Sequence, residues 1–305
     1  MLAAYEPAQA PGVEPFLPTL RPLQVSFEFF PPKQDEDHTV LRRTIERLVP
    51  LSPRFVSVTC GANGSSRQGT RETVLRILSE TGVPTAAHLT CAGASREQID
   101  EEARSYWRAG VRHIVALRGD APAGVRFQPH PGGYANAAEL TAGLKRVADF
   151  EISVAAYPEI HPDAHSSLAD LDHLQRKIDA GATRAITQFF FDPEVFLRFL
   201  DRALTRGIRV PIVPGILPIT NFKQAARFAK LCGASVPSWV AHLFEGLDES
   251  PVTHKLVAAA LTAEQCRRLR QAGIHEFHFY TMNRDELSYA TCHTLGLRPR
   301  AQVEL

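Results

Sequence analysis

Glu28 stands between Phe27 and Phe29 in the run SFEFFPP. On an extended chain alternate side chains face opposite sides, so Glu28 points with Ser26 and Phe30 and away from its aromatic neighbours. A carboxyl group in such apolar company is expected to have a raised pKa and to suit general acid work near neutral pH. A salt-bridged structural glutamate is the plainer alternative. Further along, ALRGD sets Arg118, Gly119 and Asp120 together. That segment reads as cofactor-holding donors beside a carboxylate that favours a developing cation, or as an ordinary Arg–Asp pair; a cell-adhesion tripeptide carries little weight.

Other polar residues invite two readings each. His88 is a cofactor contact or a satisfied core histidine; no H-E-x-x-H accompanies it, and no metal is expected. Phe189, Phe190 and Phe191, after Gln188, read as packing before a stacking platform. Arg176 and Lys177 form a solvated helix face or hold phosphate, and Asp170 caps a helix start or meets a ligand.

These side chains need elements to position them. β-rich runs begin at Val25, Arg54, Val83, Val111, Glu151, Arg184, Val210 and His275, eight in all. Helical spacing fills the gaps, as in Leu41, Ile45 and Leu48, in Ile99, Ala103 and Tyr106, and in Leu168, Leu171, Leu174 and Ile178. Gly82, Gly110, Gly181, Gly207 and Gly273 each precede a strand, where a helix ends on a left-handed residue. The pattern predicts an α/β fold, a (β/α)8 TIM barrel with an extra helix before the last strand. An open doubly wound sheet shares the local pattern, but no G-x-G-x-x-G follows any strand. In a barrel the carboxyl ends of the strands form one mouth. Those ends supply Glu28, Thr59, His88, Arg118 with Asp120, Tyr157, Gln188, Tyr280, Asn283 and Arg284.

The bulk properties agree with a soluble enzyme. Of 305 residues, 44% are apolar, which excludes a disordered chain. Lys and Arg number 34 against 33 Asp and Glu, so no global field favours nucleic acid or membrane. Cys60, Cys91, Cys232, Cys266 and Cys292 show no C-x-x-C spacing and read as reduced thiols of a cytoplasmic protein. Residues 1–22, rich in proline, read as an irregular tail, with one barrel over 23–300 and a short tail over 301–305.

The segments SFEFFPP, RFVSVT-x-GA, AAHLTC, HIVALRGD, ISVAAYPE-x-HP, KIDAGATRAITQFFFD, PGILPITNFKQ and FHFYTMNR occur in that order from about Val25 to Arg298. Together they resemble the bacterial single-domain methylenetetrahydrofolate reductases. The resemblance implies a barrel that binds FAD without a Rossmann motif and works by ping-pong. NADH or NADPH would reduce the flavin, and 5,10-methylenetetrahydrofolate would then take the hydride to give 5-methyltetrahydrofolate for methionine synthesis. It makes Glu28 the acid that protonates folate N10 and sets Asp120 beside flavin and pterin. Gln188, Phe222 and Arg284 become substrate contacts: Gln188 for pterin and nicotinamide, Phe222 as a stacking ring, Arg284 for the glutamate end. Thr59, Ala62, His88, Arg118, Gly119, Asp120, Tyr134, Ala135, Tyr157, His161, Asp170, Arg176 and Lys177 fall on positions lining FAD. A homo-oligomer is also implied, with small molecules as its other partners.

Two positions depart from the family pattern. Cys60 stands where tyrosine is usual, and His173 where a polar amide is expected, which alters their contacts with the cofactor. Competing readings are a flavin barrel acting on another imine, a non-catalytic folate or flavin binder, and a metal-dependent hydrolase lacking its ligand cluster.

Overall fold

The computed structural model describes residues 22–61, 67–120, 125 and 127–300. Ala62 and the two chain ends lie outside the described residues. Strands β1 (Gln24–Phe29), β2 (Phe55–Val58), β3 (Thr85–Thr90), β4 (His113–Leu117), β5 (Glu151–Ala156) and β6 (Arg184–Thr187) alternate with helices α1 (Asp35–Leu48), α2 (Arg67–Thr81), α3 (Arg96–Arg108), α4 (Ala137–Val147) and α5 (Ser167–Asp179). Helix α6 (Pro193–Thr205) leads to two short strands, β7 (Ile212–Val213) and β8 (Gly215–Ile216). Three helices follow, α7 (Phe222–Cys232), α8 (Ser238–Phe244) and α9 (Pro251–Gln271), then β9 (Glu276–Tyr280) and α10 (Glu286–Thr294). The last gap therefore holds more helix than the single extra one expected.

The strands pair in parallel in the order β7-β6-β5-β4-β3-β2-β1-β9-β8. Pro214 alone separates β7 from β8; β7 pairs with β6, and β8 pairs with β9. Proline brings no N–H to a ladder, so the chain changes neighbour there while the Pro214 carbonyl accepts from His278 N at 3.0 Å. Ile212 to Ile216 thus act as one interrupted strand, and eight strands close the ring. This is the predicted barrel and not an open sheet. At the junction a Cβ on Gly215 would lie 2.1 Å from Thr187 O and 2.5 Å from Tyr280 Cε2. The missing side chain lets Tyr280 reach over the interrupted strand and donate to Thr187 O at 2.7 Å.

Helix signals in the sequence operate as chemistry. Ser95, Asn136, Ser166, Asp192 and Asn221 cap α3, α4, α5, α6 and α7, each accepting from a first-turn backbone N–H. The five glycines predicted to end helices all have positive φ, from 66° at Gly82 to 110° at Gly181. Leu41, Ile45, Leu48, Ile99, Ala103 and Tyr106 are buried between sheet and helices. The α5 stripe is shorter than expected: Leu171 and Leu174 are buried, but Leu168 is 60% exposed. Its place in the first turn of α5, beyond the edge of the sheet-facing stripe, explains the difference.

Inside the barrel, Arg184 is 1% exposed and reaches Glu151 and Glu276, with its guanidinium over the Phe55 ring. Above it His113 Nε2 meets Ser153 Oγ at 2.8 Å. Burial, and then the Arg184 charge, hold that imidazole well below its ordinary pKa. Among the described residues no helix is long and apolar enough to cross a membrane.

Candidate active site

The alternation read from SFEFF places Phe27 and Phe29 among the helices, both fully buried, and turns Ser26 and Glu28 inward. Register then brings partners. β1 lies beside β9 with Ser26 opposite His278 and Glu28 opposite Tyr280. Glu28 Oε2 lies 3.4 Å from His278 Nε2 and 3.3 Å from His88 Nε2. Ser26 Oγ is 2.8 Å from His278 Nδ1. An ionised carboxylate only accepts, so His278 Nε2 carries the proton facing Glu28 and Nδ1 accepts from Ser26. His88 Nε2 is buried and has no aligned hydrogen bond in spite of its closeness to the carboxylate.

The expected raised pKa of Glu28 is corrected here. Burial is the largest single influence and pushes the carboxyl up, but the two imidazoles together outweigh it and hold the group at about 2. The apolar neighbours seen in the sequence face away from the carboxylate, and the histidines that face it come from β3 and β9.

At the end of β4, Arg118 Nη2 donates to Asp163 Oδ2 at 2.8 Å, whereas Asp120 Oδ1 stands 3.9 Å away. The main ion pair of Arg118 is therefore with Asp163. Asp120, its side chain 71% exposed, follows a Gly119 at φ 83°. Tyr157 at the end of β5 packs edge-on against His161 at 4.5 Å. Its phenol is pushed up by burial and then by the carboxylates of Asp120 and Asp170. Asp170 Oδ2 accepts from His161 N at 3.0 Å, so the first turn of α5 holds the loop after β5.

Lys177 is half-buried, with Nζ donating to Ala155 O. Burial pulls its ammonium down to about 8, against the partial support of Asp170. Exposed Arg176 donates to His173 Nδ1 at 2.7 Å, so the departing residue His173 is engaged by its own helix. Thr59 continues β2, its N–H donating to Phe29 O at 2.9 Å, and buried Cys60 follows it. Gln188 continues β6, its N–H donating to Ala156 O at 2.7 Å. Tyr134 takes a different place, fully buried with its hydroxyl donating to Asp100 on α3 and its ring against Gly143 on α4. Ala135 N donates to Glu139 at the start of α4.

Beyond Tyr280 an apolar cleft of about 240 Å³ is bordered by Leu217, Asn221, Gln224, Phe228, Leu231 and Met282. Phe228 stacks on Phe189 at 5.3 Å, next to Gln188 in the chain. Phe222 lies on the other side of α7, stacked on Phe244 at 5.1 Å. The aromatic ring bordering this cleft is thus Phe228. Arg284 is exposed on the turn after β9. His278, Phe228 and Gln224 escaped the sequence reading. For His278 a signal existed, because alternation in HEFHFYT puts it on the same face as Tyr280.

A sequence model described as methylenetetrahydrofolate reductase matches residues 19–296. The 5,10-methylenetetrahydrofolate reductases of Salmonella typhimurium and Escherichia coli are 53% and 52% identical over 277 residues, spanning 91% of this chain and 92% of each relative. An Arabidopsis thaliana protein, methylenetetrahydrofolate reductase (NADH) 1, is 35% identical over 91% of this chain and 49% of its own length. Among solved structures, an uncharacterized Clostridium thermocellum protein that binds two copies of 5-methyl-5,6,7,8-tetrahydrofolic acid superposes with a TM-score of 0.61 at 16% identity. The match covers 90% of this chain and 94% of that one, and it bears on the fold alone.

Proposed function

This chain belongs to the methylenetetrahydrofolate reductase family, and from that membership we propose that it reduces 5,10-methylenetetrahydrofolate with NADH or NADPH through a bound FAD, in ping-pong order. The observation that carries the reading is Glu28, an inward carboxylate flanked by His88 and His278 where the strands end.

The residues at the mouth fit a flavin dinucleotide. His88 Nε2 is a buried polar atom without an aligned partner, suited to a polar ring edge. Lys177 is a half-buried cation against the end of β5, and Arg118 stands at the end of β4, both suited to a diphosphate. Thr59, Gly119, Tyr157, His161 and Asp170 would complete the contacts, with Asp120 exposed toward the ring system. When bound, the flavin stores a hydride taken from the nicotinamide and makes it available to the folate.

The chain's own work concerns the proton. The two imidazoles hold the Glu28 carboxyl at about 2 in the free protein, so binding of the ligand must first return a proton to it. Glu28 passes that proton to N10 of the folate. The electron pair of the N10–methylene bond goes to N10, and an iminium cation remains at the methylene carbon and N5. Asp120 stabilises the cation. Gln188 orients the pterin, Phe222 stacks on an aromatic ring of the ligand, the Phe228 cleft receives the rest of it, and Arg284 meets its carboxylates.

Stopped-flow separation of the two half-reactions tests this. The Glu28→Gln protein should still accept hydride from NAD(P)H and fail to pass it to methylenetetrahydrofolate. Equal loss in both halves would reject Glu28 as the acid of the folate step.

A further inference from the structure

The turn after β9 holds two consecutive non-glycine residues in the left-handed region, Met282 at φ 54° and Asn283 at φ 55°. Such a conformation persists where surrounding contacts fix it. Here the contacts lead to the end of β1 and to α1 beside it. Thr281 Oγ1 donates to Glu28 O at 2.6 Å and accepts from Asn283 N at 3.1 Å. Asn283 Oδ1 accepts from Phe30 N at 2.8 Å, and Asn283 Nδ2 donates to Phe30 O at 3.0 Å. Asn283 O in turn accepts from buried Thr44 Oγ1 on α1 at 3.0 Å. The backbone ladder between β1 and β9 ends at the pair Glu28 and Tyr280. The Asn283 carboxamide adds one more rung by imitating a peptide group.

We infer that Asn283 is a positioning residue for Glu28: its carboxamide grips the backbone two residues beyond the acid and ties it to the turn carrying Met282 and Arg284. The grip fixes the direction in which β1 leaves the barrel, and with it the aim of the carboxylate at His88 and His278. It also joins the acid to one wall of the ligand cleft, since Met282 borders that cleft. Asparagine suits both demands: it tolerates the left-handed conformation better than most residues, and it offers a donor and an acceptor on one planar group.

The part of this concerning turnover rests on the proposed reduction of methylenetetrahydrofolate; the part concerning the carboxylate does not. Asn283→Gly keeps the backbone conformation and removes both bonds. Asn283→Asp keeps the acceptor for Phe30 N–H and removes the donor to Phe30 O. A carboxyl titration of ligand-free protein, read by carbon NMR and assigned with Glu28→Gln, should place the Glu28 midpoint higher in Asn283→Gly than in wild type, with Asn283→Asp between them. In turnover with methylenetetrahydrofolate, Asn283→Gly should lower kcat about tenfold, leave KM within about threefold, and displace the pH profile of kcat, with partial recovery in Asn283→Asp. An unchanged Glu28 midpoint in Asn283→Gly overturns the inference. So does a fall in kcat that tracks thermal stability and leaves the pH profile in place. Wild type that fails to reduce methylenetetrahydrofolate defeats the functional reading, while the titration still decides the role of Asn283.

Discussion

Ser26 Oγ and His278 Nδ1 lie 2.8 Å apart across the pairing of β1 with β9, and the other nitrogen of the same imidazole faces Glu28. The serine thus sets which nitrogen of His278 bears the proton. Ser26→Ala should lower folate turnover about fivefold, matching the loss of roughly 1 kcal/mol for one orienting hydrogen bond. Transfer from NAD(P)H to flavin, followed by bleaching of the flavin bands, should change far less.

Replacing Glu28 by glutamine removes the ionisable group and should cost the folate half-reaction about 10²–10⁴-fold, the usual range for a general acid. The same variant has a pH signature in stability. The folded carboxyl sits at about 2 against an ordinary 4.5, a depressed value. Its ionisation therefore stabilises the fold fully above about pH 4.5, and the contribution disappears as pH falls toward 2. Urea unfolding at stepped pH should show the wild-type stability falling through that window relative to Glu28→Gln, by an amount on the order of 1–3 kcal/mol.

Lys177 carries the opposite sign. A half-buried ammonium lowered to about 8 from 10.5 costs stability wherever it is charged in both states, and the cost is relieved as pH rises from about 8 to 10.5. Lys177→Met should accordingly stabilise the apoprotein at neutral pH, on the order of 1–3 kcal/mol in urea unfolding. The same protein should bind FAD less tightly, measured by flavin fluorescence on titration. Tighter FAD binding by Lys177→Met would remove the lysine from the cofactor site.

Gly215→Ala is expected to be severe. The new methyl group would meet Thr187 O at 2.1 Å and the Tyr280 ring at 2.5 Å, neither of which ends a flexible side chain. A loss above about 3 kcal/mol in denaturant unfolding is expected, together with weakened flavin retention because Tyr280 lies beside Glu28 in the ladder. A variant with wild-type stability would show that the junction yields easily.

Much of this was legible in the sequence, and the parts that were not share a cause. Period-two alternation turned Glu28 inward, and glycines before strands marked where helices end. Both are local. The ionisation of Glu28 depends on His88, 60 residues away, and on His278, 250 residues away, and on a register that the sequence does not display. The expectation of a raised pKa followed from the aromatic neighbours in the chain, and these face the helices. At α7, Phe222 packs on Phe244 and Phe228 borders the cleft, a difference of helix face that only the packing of α7 displays. Leu168 fits a helical stripe by spacing yet lies past the sheet it would have covered.

The strand broken at Pro214 makes the ring uneven in its resistance to opening. The five staves β1 to β5 are bonded along three or more residues on both sides, while this one gives its first two to β6 and its last two to β9. Local opening follows the fewest bonds. Amide protons of Ala185, Gly215 and His278 should therefore exchange with solvent before those of the β3 and β4 pair, and the barrel should part beside Tyr280. The seam where the cylinder comes undone is also the rim on which the folate would rest, so a ligand bound there would hold the hoop shut.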